Sequence, residues 1–104
     1  MAQGKEKQLV NAILTEYRKR GAFAEKIHGG PSQPRLVDII ACYHGYFIAL
    51  ECKTGTGKLT PSQAHVLRDV DRAGGIAETA WTLEDAMGIL TSIDRSIVER
   101  AYYA

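Results

Sequence analysis

Apolar and polar residues along this chain follow two periods, and the longer period marks the helices. Residues 5–20 carry an apolar stripe at helical spacing, formed by Leu9, Val10, Ile13, Leu14 and Tyr17. A second helix begins at the capping sequence Thr60-Pro61-Ser62-Gln63 and ends near Ala73. Two further helical stretches are predicted, one from Thr82 to about Leu90 and one over residues 92–103.

Shorter apolar runs between the helices predict four strands, at residues 22–28, 36–43, 46–54 and 76–81. The dipeptide His44-Gly45 predicts a two-residue hairpin turn that pairs Tyr43 with Tyr46. The last strand follows a helix, so we expect it to run parallel to the third strand through a right-handed crossover. The order αβββαβα predicts one α/β domain over residues 1–104, with a mixed sheet flanked by helices.

Three charged residues interrupt the apolar hairpin, and they carry the candidate chemistry. Counting outward from the turn places Asp38 opposite Glu51, with Cβ atoms about 4.5–5.5 Å apart. Lys53 lies two residues beyond Glu51 and leaves the same face of the strand. Two carboxylates at this distance repel unless a cation binds between them or one takes up a proton. Because hard oxygen ligands suit Mg²⁺ or Mn²⁺, we expect a metal site of Asp38, Glu51 and the backbone carbonyl of Cys52.

These residues also allow other interpretations. A buried ion pair of Lys53 with one acid leaves the second carboxylate without a counter-ion. A nucleotide-binding loop is not indicated at TGTGKLT, because Cys52 and Leu59 stand where that motif needs Gly and Ser or Thr. Glu6 extends the apolar stripe of the first helix, so it is either a solvated residue of a frayed turn or a third carboxylate of the cluster.

Composition and charge exclude only a few classes of function. The chain has 104 residues and a net charge of +1, so binding of nucleic acid would depend on local basic groups. The apolar runs are too short for a membrane span, and the polar N-terminus does not resemble a signal peptide. The hairpin register sets Cys42 opposite Phe47 and Cys52 opposite Val37, so the cysteines do not meet. We expect both to be buried free thiols in a reducing cytosol.

The charged residues of the hairpin and the sequence that follows them resemble those of the VRR-NUC branch of the PD-(D/E)XK nuclease superfamily. The resemblance spans residues 6–90 and is carried by Asp38, Glu51-x-Lys53, a glycine-rich loop and the sequence LTPSQ. It implies a restriction-endonuclease-like fold in which Asp38 and Glu51 bind metal and Lys53 is the catalytic lysine. Val37 departs from the family pattern, which has Pro before the aspartate.

The resemblance also implies roles for two flanking residues. Glu6 matches the glutamate of the family's first helix, which acts on the metal directly or through water. Gln63 matches a glutamine beside the active site, although its capping role competes with this one and both can hold.

The function implied by the resemblance is endonuclease action on DNA with Mg²⁺ or Mn²⁺, leaving 5′-phosphate and 3′-hydroxyl ends. The resemblance to family members that consist of this domain alone implies a homodimer that cuts branched DNA such as four-way junctions. It also implies a location in the cytosol of a bacterium or a phage-infected host. The alternative is a DNA-binding module of the same fold without activity. Candidate phosphate contacts are the basic residues Lys5, Lys7, Lys19, Arg20, Arg35, Lys58 and Arg68. Among them, Lys58 lies in the loop beside the proposed site.

Overall fold

The computed structural model describes residues 4–29 and 36–103, which form three helices and one four-stranded sheet. The helices are α1 (Lys5–Lys19), α2 (Pro61–Arg72) and α3 (Leu83–Tyr103). The strands are β1 (Phe23–Lys26), β2 (Ile39–Tyr43), β3 (Tyr46–Cys52) and β4 (Ile76–Ala80). They lie in the order β1-β2-β3-β4, with β1, β2 and β3 antiparallel and β4 parallel to β3. The predicted order αβββαβα and the mixed sheet are confirmed.

The hairpin of β2 and β3 has the predicted register. Tyr43 pairs with Tyr46 across the turn, and the ladder continues outward to Ile39 opposite Leu50. His44 and Gly45 both have positive φ, at 49° and 85°, as a two-residue turn of this twist requires. The register therefore brings the segments around Asp38 and Glu51 to the same end of the sheet.

Side chains alternate along the strands, so the sheet has two apolar faces, and helices cover both. The larger core joins one face to α1 and α3, and its most buried members are Ile13, Tyr17, Ile39, Ile48, Leu50 and Leu90. The smaller core, of Val37, Ala49 and Leu67, lies under α2. Because β3 is buried on both faces from Ile48 to Cys52, its glutamate lies inside the protein rather than at the surface.

Residues 83–103 form one helix, so the prediction of two helices with a break after Leu90 is wrong. Neither Gly nor Pro occurs at the expected break, and the Thr91 hydroxyl donates to the Met87 carbonyl at 3.2 Å, inside the helix. Ile93 is buried, so the apolar face continues past the expected break. Among the described helices, none combines the length and the apolar composition that crossing a bilayer requires.

The two cysteines differ in burial. Cys52 is buried as predicted, but Cys42 is exposed, contrary to the prediction. Cys42 pairs with Phe47 next to the hairpin turn, and neither residue belongs to the core under α2. Burial therefore decreases along this face of the hairpin toward the turn. Both cysteines are free, as the register predicted.

Candidate functional site

Asp38 lies at the point where β2 begins, and three hydrogen bonds hold it there. Its N–H donates to the Leu50 carbonyl at 3.1 Å and its carbonyl accepts from the Ile27 N–H at 2.9 Å. Its carboxylate Oδ2 accepts from the Cys52 N–H at 2.7 Å. The residue is only 3% exposed. The last ladder pair is Ile39 with Leu50, so Asp38 and Glu51 are the next residues outward, as the sequence predicted.

Glu51 is 1% exposed, and its carboxylate is oriented by α2. The Gln63 Nε2 donates to Glu51 Oε1 at 3.0 Å. Gln63 also completes the cap of α2, because its Oε1 accepts from the Thr60 N–H at 2.9 Å and its N–H donates to Thr60 Oγ1 at 3.2 Å. The predicted cap is therefore present, and the same side chain also contacts Glu51.

Glu6, in the first turn of α1, completes a cluster of three carboxylates. One carboxylate oxygen each from Glu6, Asp38 and Glu51 lies within 4.8 Å of the others. Asp38 and Glu51 are buried and Glu6 is half-buried, so their mutual repulsion is only partly screened by water. A cation bound among them would offset this repulsion, and three carboxylate oxygens are the donors that Mg²⁺ and Mn²⁺ prefer. The donor chemistry therefore fits the metal implied by the family resemblance.

Lys53 follows β3 directly and is 9% exposed. Its N–H donates to the Ala80 carbonyl at 3.0 Å, which extends the pairing with β4. The glycine-rich loop lies over its side chain, since a Cβ added at Gly57 would be 3.5 Å from Lys53 Cδ. Within residues 4–29 and 36–103, the Lys53 ammonium makes no ion pair with an acid. The alternative interpretation as a buried ion pair is therefore not supported by the described residues.

A recess of about 360 Å³ opens beside the carboxylates on the α1 side. Its lining consists of Gly4, Glu6, Lys7, Val10, Lys26 and Asp38. Lys26, the last residue of β1, was not among the residues singled out from the sequence. Its position depends on the pairing of β1 with β2 across residues 27–38, whose Gly- and Pro-rich sequence indicates a loop but, unlike a two-residue turn, does not set the register of the pairing. Two larger cavities, of about 520 and 660 Å³, lie along α3 and include none of the three carboxylates.

The basic residues predicted to contact DNA fall into two groups. Lys5 and Lys7 are exposed in the first turn of α1, and Lys58 is exposed in the loop before α2, so all three lie at the end of the sheet that carries the carboxylates. Arg68 is exposed in the middle of α2. Lys19 and Arg20 lie at the other end of α1, about 20 Å from Glu6 along the helix. Arg35 lies outside the described residues.

The distant pair is engaged in ion pairs of its own. The Arg20 guanidinium contacts Asp94 at 2.7 Å, and the Lys19 ammonium contacts Glu16 at 3.5 Å. The Tyr43 hydroxyl also donates to Asp94, at 2.7 Å. This hydrogen bond, with the help of Arg20, holds the pKa of Asp94 below its ordinary value. The network joins α1, the hairpin and α3 at the end of the domain opposite the carboxylates.

The chain matches no protein-family model and no curated protein sequence. Its fold is nevertheless that of known structures. A solved VRR_NUC domain superimposes with a TM-score of 0.71 at 13% identity, over 86% of this chain and 97% of that one. A Holliday junction resolvase of the archaeon Archaeoglobus fulgidus, Hjc, superimposes with a TM-score of 0.58 at 22% identity, over 73% of this chain and 67% of that one. The restriction-endonuclease-like fold implied by the family resemblance is thereby confirmed.

Proposed function

We propose that this protein is a divalent-metal-dependent nuclease that hydrolyses phosphodiester bonds in DNA. The observation that supports it most is the meeting of three carboxylate oxygens within 4.8 Å at the end of a buried hairpin. The fold adds to this, because a VRR_NUC domain and a Holliday junction resolvase share it. Neither fact would be sufficient alone, since acidic clusters and this fold each occur with more than one function.

The metal would be held by Asp38, Glu51 and Glu6, with the backbone carbonyl of Cys52 as a further ligand. When bound, Mg²⁺ or Mn²⁺ would polarise the phosphoryl oxygen and lower the pKa of a water molecule. Asp38 is well placed as a ligand because the Cys52 N–H holds one of its oxygens at 2.7 Å. Preorganised carboxylates of this kind lose little freedom when a ligand binds.

Two further side chains would take part, Lys53 by acting on the water or the phosphate and Gln63 by orienting a metal ligand. Lys53 is buried under the glycine-rich loop without an acidic partner among the described residues, so its charge can act on the attacking water or on the developing phosphate charge. Gln63 would orient Glu51 through the hydrogen bond of 3.0 Å to its Oε1. Lys58 and Lys5 would contact neighbouring phosphates, with Lys19 and Arg20 available only to a more distant part of a long duplex.

The preferred substrate would be branched DNA, cut to leave 5′-phosphate and 3′-hydroxyl ends. The support for this is that the structural neighbour Hjc is a Holliday junction resolvase. Symmetric cutting of a four-way junction needs two active sites, and one domain of residues 1–104 supplies one. We therefore propose that the protein acts as a homodimer.

The test is cleavage of a labelled panel of duplex, flap and four-way-junction DNA in Mn²⁺ and Mg²⁺. We expect the wild type to cut and Lys53→Ala to bind DNA without cutting it, since the variant keeps all three carboxylates. A divalent ion at 100 times its dissociation constant should stabilise the wild type by about 2.7 kcal/mol. Asp38→Asn should weaken that stabilisation.

Two results would contradict the proposal. A wild type that binds DNA but never cuts it in either ion would favour the DNA-binding module without activity. If neither ion changes the melting temperature of the wild type, the proposed metal site is contradicted.

A further inference from the structure

The recess beside the carboxylates contains a second set of charges that the proposed chemistry does not use. Glu6 and Asp38 on its wall belong to the metal cluster, but Lys7 and Lys26 do not. The recess leads from solvent to the carboxylates on the α1 side of the sheet. Any strand of DNA that reaches the cluster from that side would pass these two lysines first.

Neither lysine is engaged elsewhere in the part of the chain that the structure describes. Lys7 and Lys26 form no ion pair with the acids of residues 4–29 and 36–103. Arg18, Lys19 and Arg20, by contrast, are each within 3.5 Å of a carboxylate oxygen. The two ammonium groups in the recess are therefore available to an anionic ligand, whereas the basic residues at the far end of α1 each have an acidic partner on the surface.

Regular secondary structure fixes both lysines relative to the acids. Lys7 follows Glu6 in α1. Lys26 pairs with Ile39, the neighbour of Asp38, and the next N–H of that segment, from Ile27, donates to the Asp38 carbonyl at 2.9 Å. Each lysine is thus next to an acid of the cluster, either along the chain or across the ladder, and neither depends on a loop for its position.

We propose that Lys7 and Lys26 together bind one DNA backbone phosphate adjacent to the scissile phosphate, on the α1 side of the carboxylates. This inference rests on the nuclease function proposed above. Two ammonium groups around one recess attract a phosphodiester, and contacts of this kind position nucleic acid without reading its sequence. With Lys58 in the loop before α2, the bound strand would cross the cluster from the α1 side to the α2 side.

The test compares two double variants that change the net charge equally. Lys7→Gln with Lys26→Gln removes the proposed contacts. Arg72→Gln with Arg95→Gln removes two exposed charges from α2 and α3, neither of which lines the recess. Binding of a fluorescent four-way junction is measured in EDTA over a salt series. Because the two lysines neutralise one phosphate, we expect the magnitude of the slope of log K against log salt to fall by about 0.9 in the lysine variant and to stay at the wild-type value in the control.

Cleavage in Mn²⁺ gives the second readout. The lysine variant should show a raised KM with a smaller change in kcat, and Lys7→Arg with Lys26→Arg should restore both the salt slope and KM. If the double Gln variant does not fold, each single variant should lower the slope by a part of about 0.9, because one lysine then remains at the phosphate.

The outcomes separate this inference from the proposed function. A salt slope that stays at the wild-type value in the lysine variant, or falls as much in the control, would overturn the phosphate site while the nuclease proposal stands. A wild type that neither binds nor cuts DNA would overturn both.

Discussion

Gln63 makes one contact in the cap of α2 and another with the buried acid of β3, and a glutamate in its place would keep only the first. Its Oε1 accepts from the Thr60 N–H at 2.9 Å, and its Nε2 donates to Glu51 Oε1 at 3.0 Å. A glutamate side chain still supplies the oxygen that the capping box needs. It replaces the donor that faces Glu51, however, with a second carboxylate oxygen.

The distance between these atoms sets the size of the effect. Two full charges 3.0 Å apart repel by about 5.5 kcal/mol at an effective dielectric constant of about 20. Uptake of one proton at pH 7 costs less, about 3.7 kcal/mol for a glutamic acid of ordinary pKa. The two carboxyl groups should therefore share a proton. We expect Gln63→Glu to lower the free energy of unfolding at pH 7 by at most about 4 kcal/mol, and by less if the half-buried side chain turns toward solvent.

The sign of the pH dependence follows from the same reasoning. Repulsion by Glu51 raises the pKa of the new carboxyl group in the folded state, so the folded protein loses stability as the pH rises. Near pH 4.5 the group is protonated at little cost and can again donate to Glu51. The difference between the variant and the wild type should then be close to zero.

Urea unfolding of the wild type, Gln63→Glu and Gln63→Leu at pH 7 and at pH 4.5 tests this reasoning. The leucine variant loses both hydrogen bonds and serves as the control, because its destabilisation should change much less between the two pH values. Equal destabilisation by the glutamate substitution at both pH values would show that the side chain does not face Glu51 in solution, and the reasoning would be refuted.

Three further predictions concern other parts of the chain. Tyr17→Phe should lower the free energy of unfolding by about 1–2 kcal/mol, measured in urea, because the buried hydroxyl donates to a backbone carbonyl of α3 at 2.6 Å. Asp94→Asn should destabilise the protein at neutral pH, but the difference should vanish in thermal melts as the pH falls well below 3.8, since the Tyr43 hydroxyl holds the pKa of Asp94 below that ordinary value. Gly57→Ala should reduce kcat about tenfold, because the new Cβ would lie 3.2 Å from the Thr54 carbonyl oxygen and the loop beside Lys53 would have to shift; wild-type cleavage by this variant would contradict it.

Most of the fold could be predicted from the sequence, because local interactions decide it. The hairpin register depends on two turn residues with positive φ, and the start of α2 depends on a cap within four residues. The prediction was wrong at the C-terminal helix, where two helical stretches were expected and one helix is found. The buried face of α3 continues through Ile93, so tertiary packing overrides the local signal there.

The sequence alone determined which chemistry was available, and tertiary structure decided which groups share the site. Asp38, Glu51 and Lys53 could be placed together because one tight turn sets their register. Glu6 could not, since its approach to within 4.8 Å depends on how α1 packs on the sheet. Lys26 could not either, since β1 and β2 are separated by residues 27–38, a connection too long for a tight turn to set the register of their pairing. Interactions within a few residues are encoded by spacing, whereas contacts between distant segments are decided by the packing of the whole core.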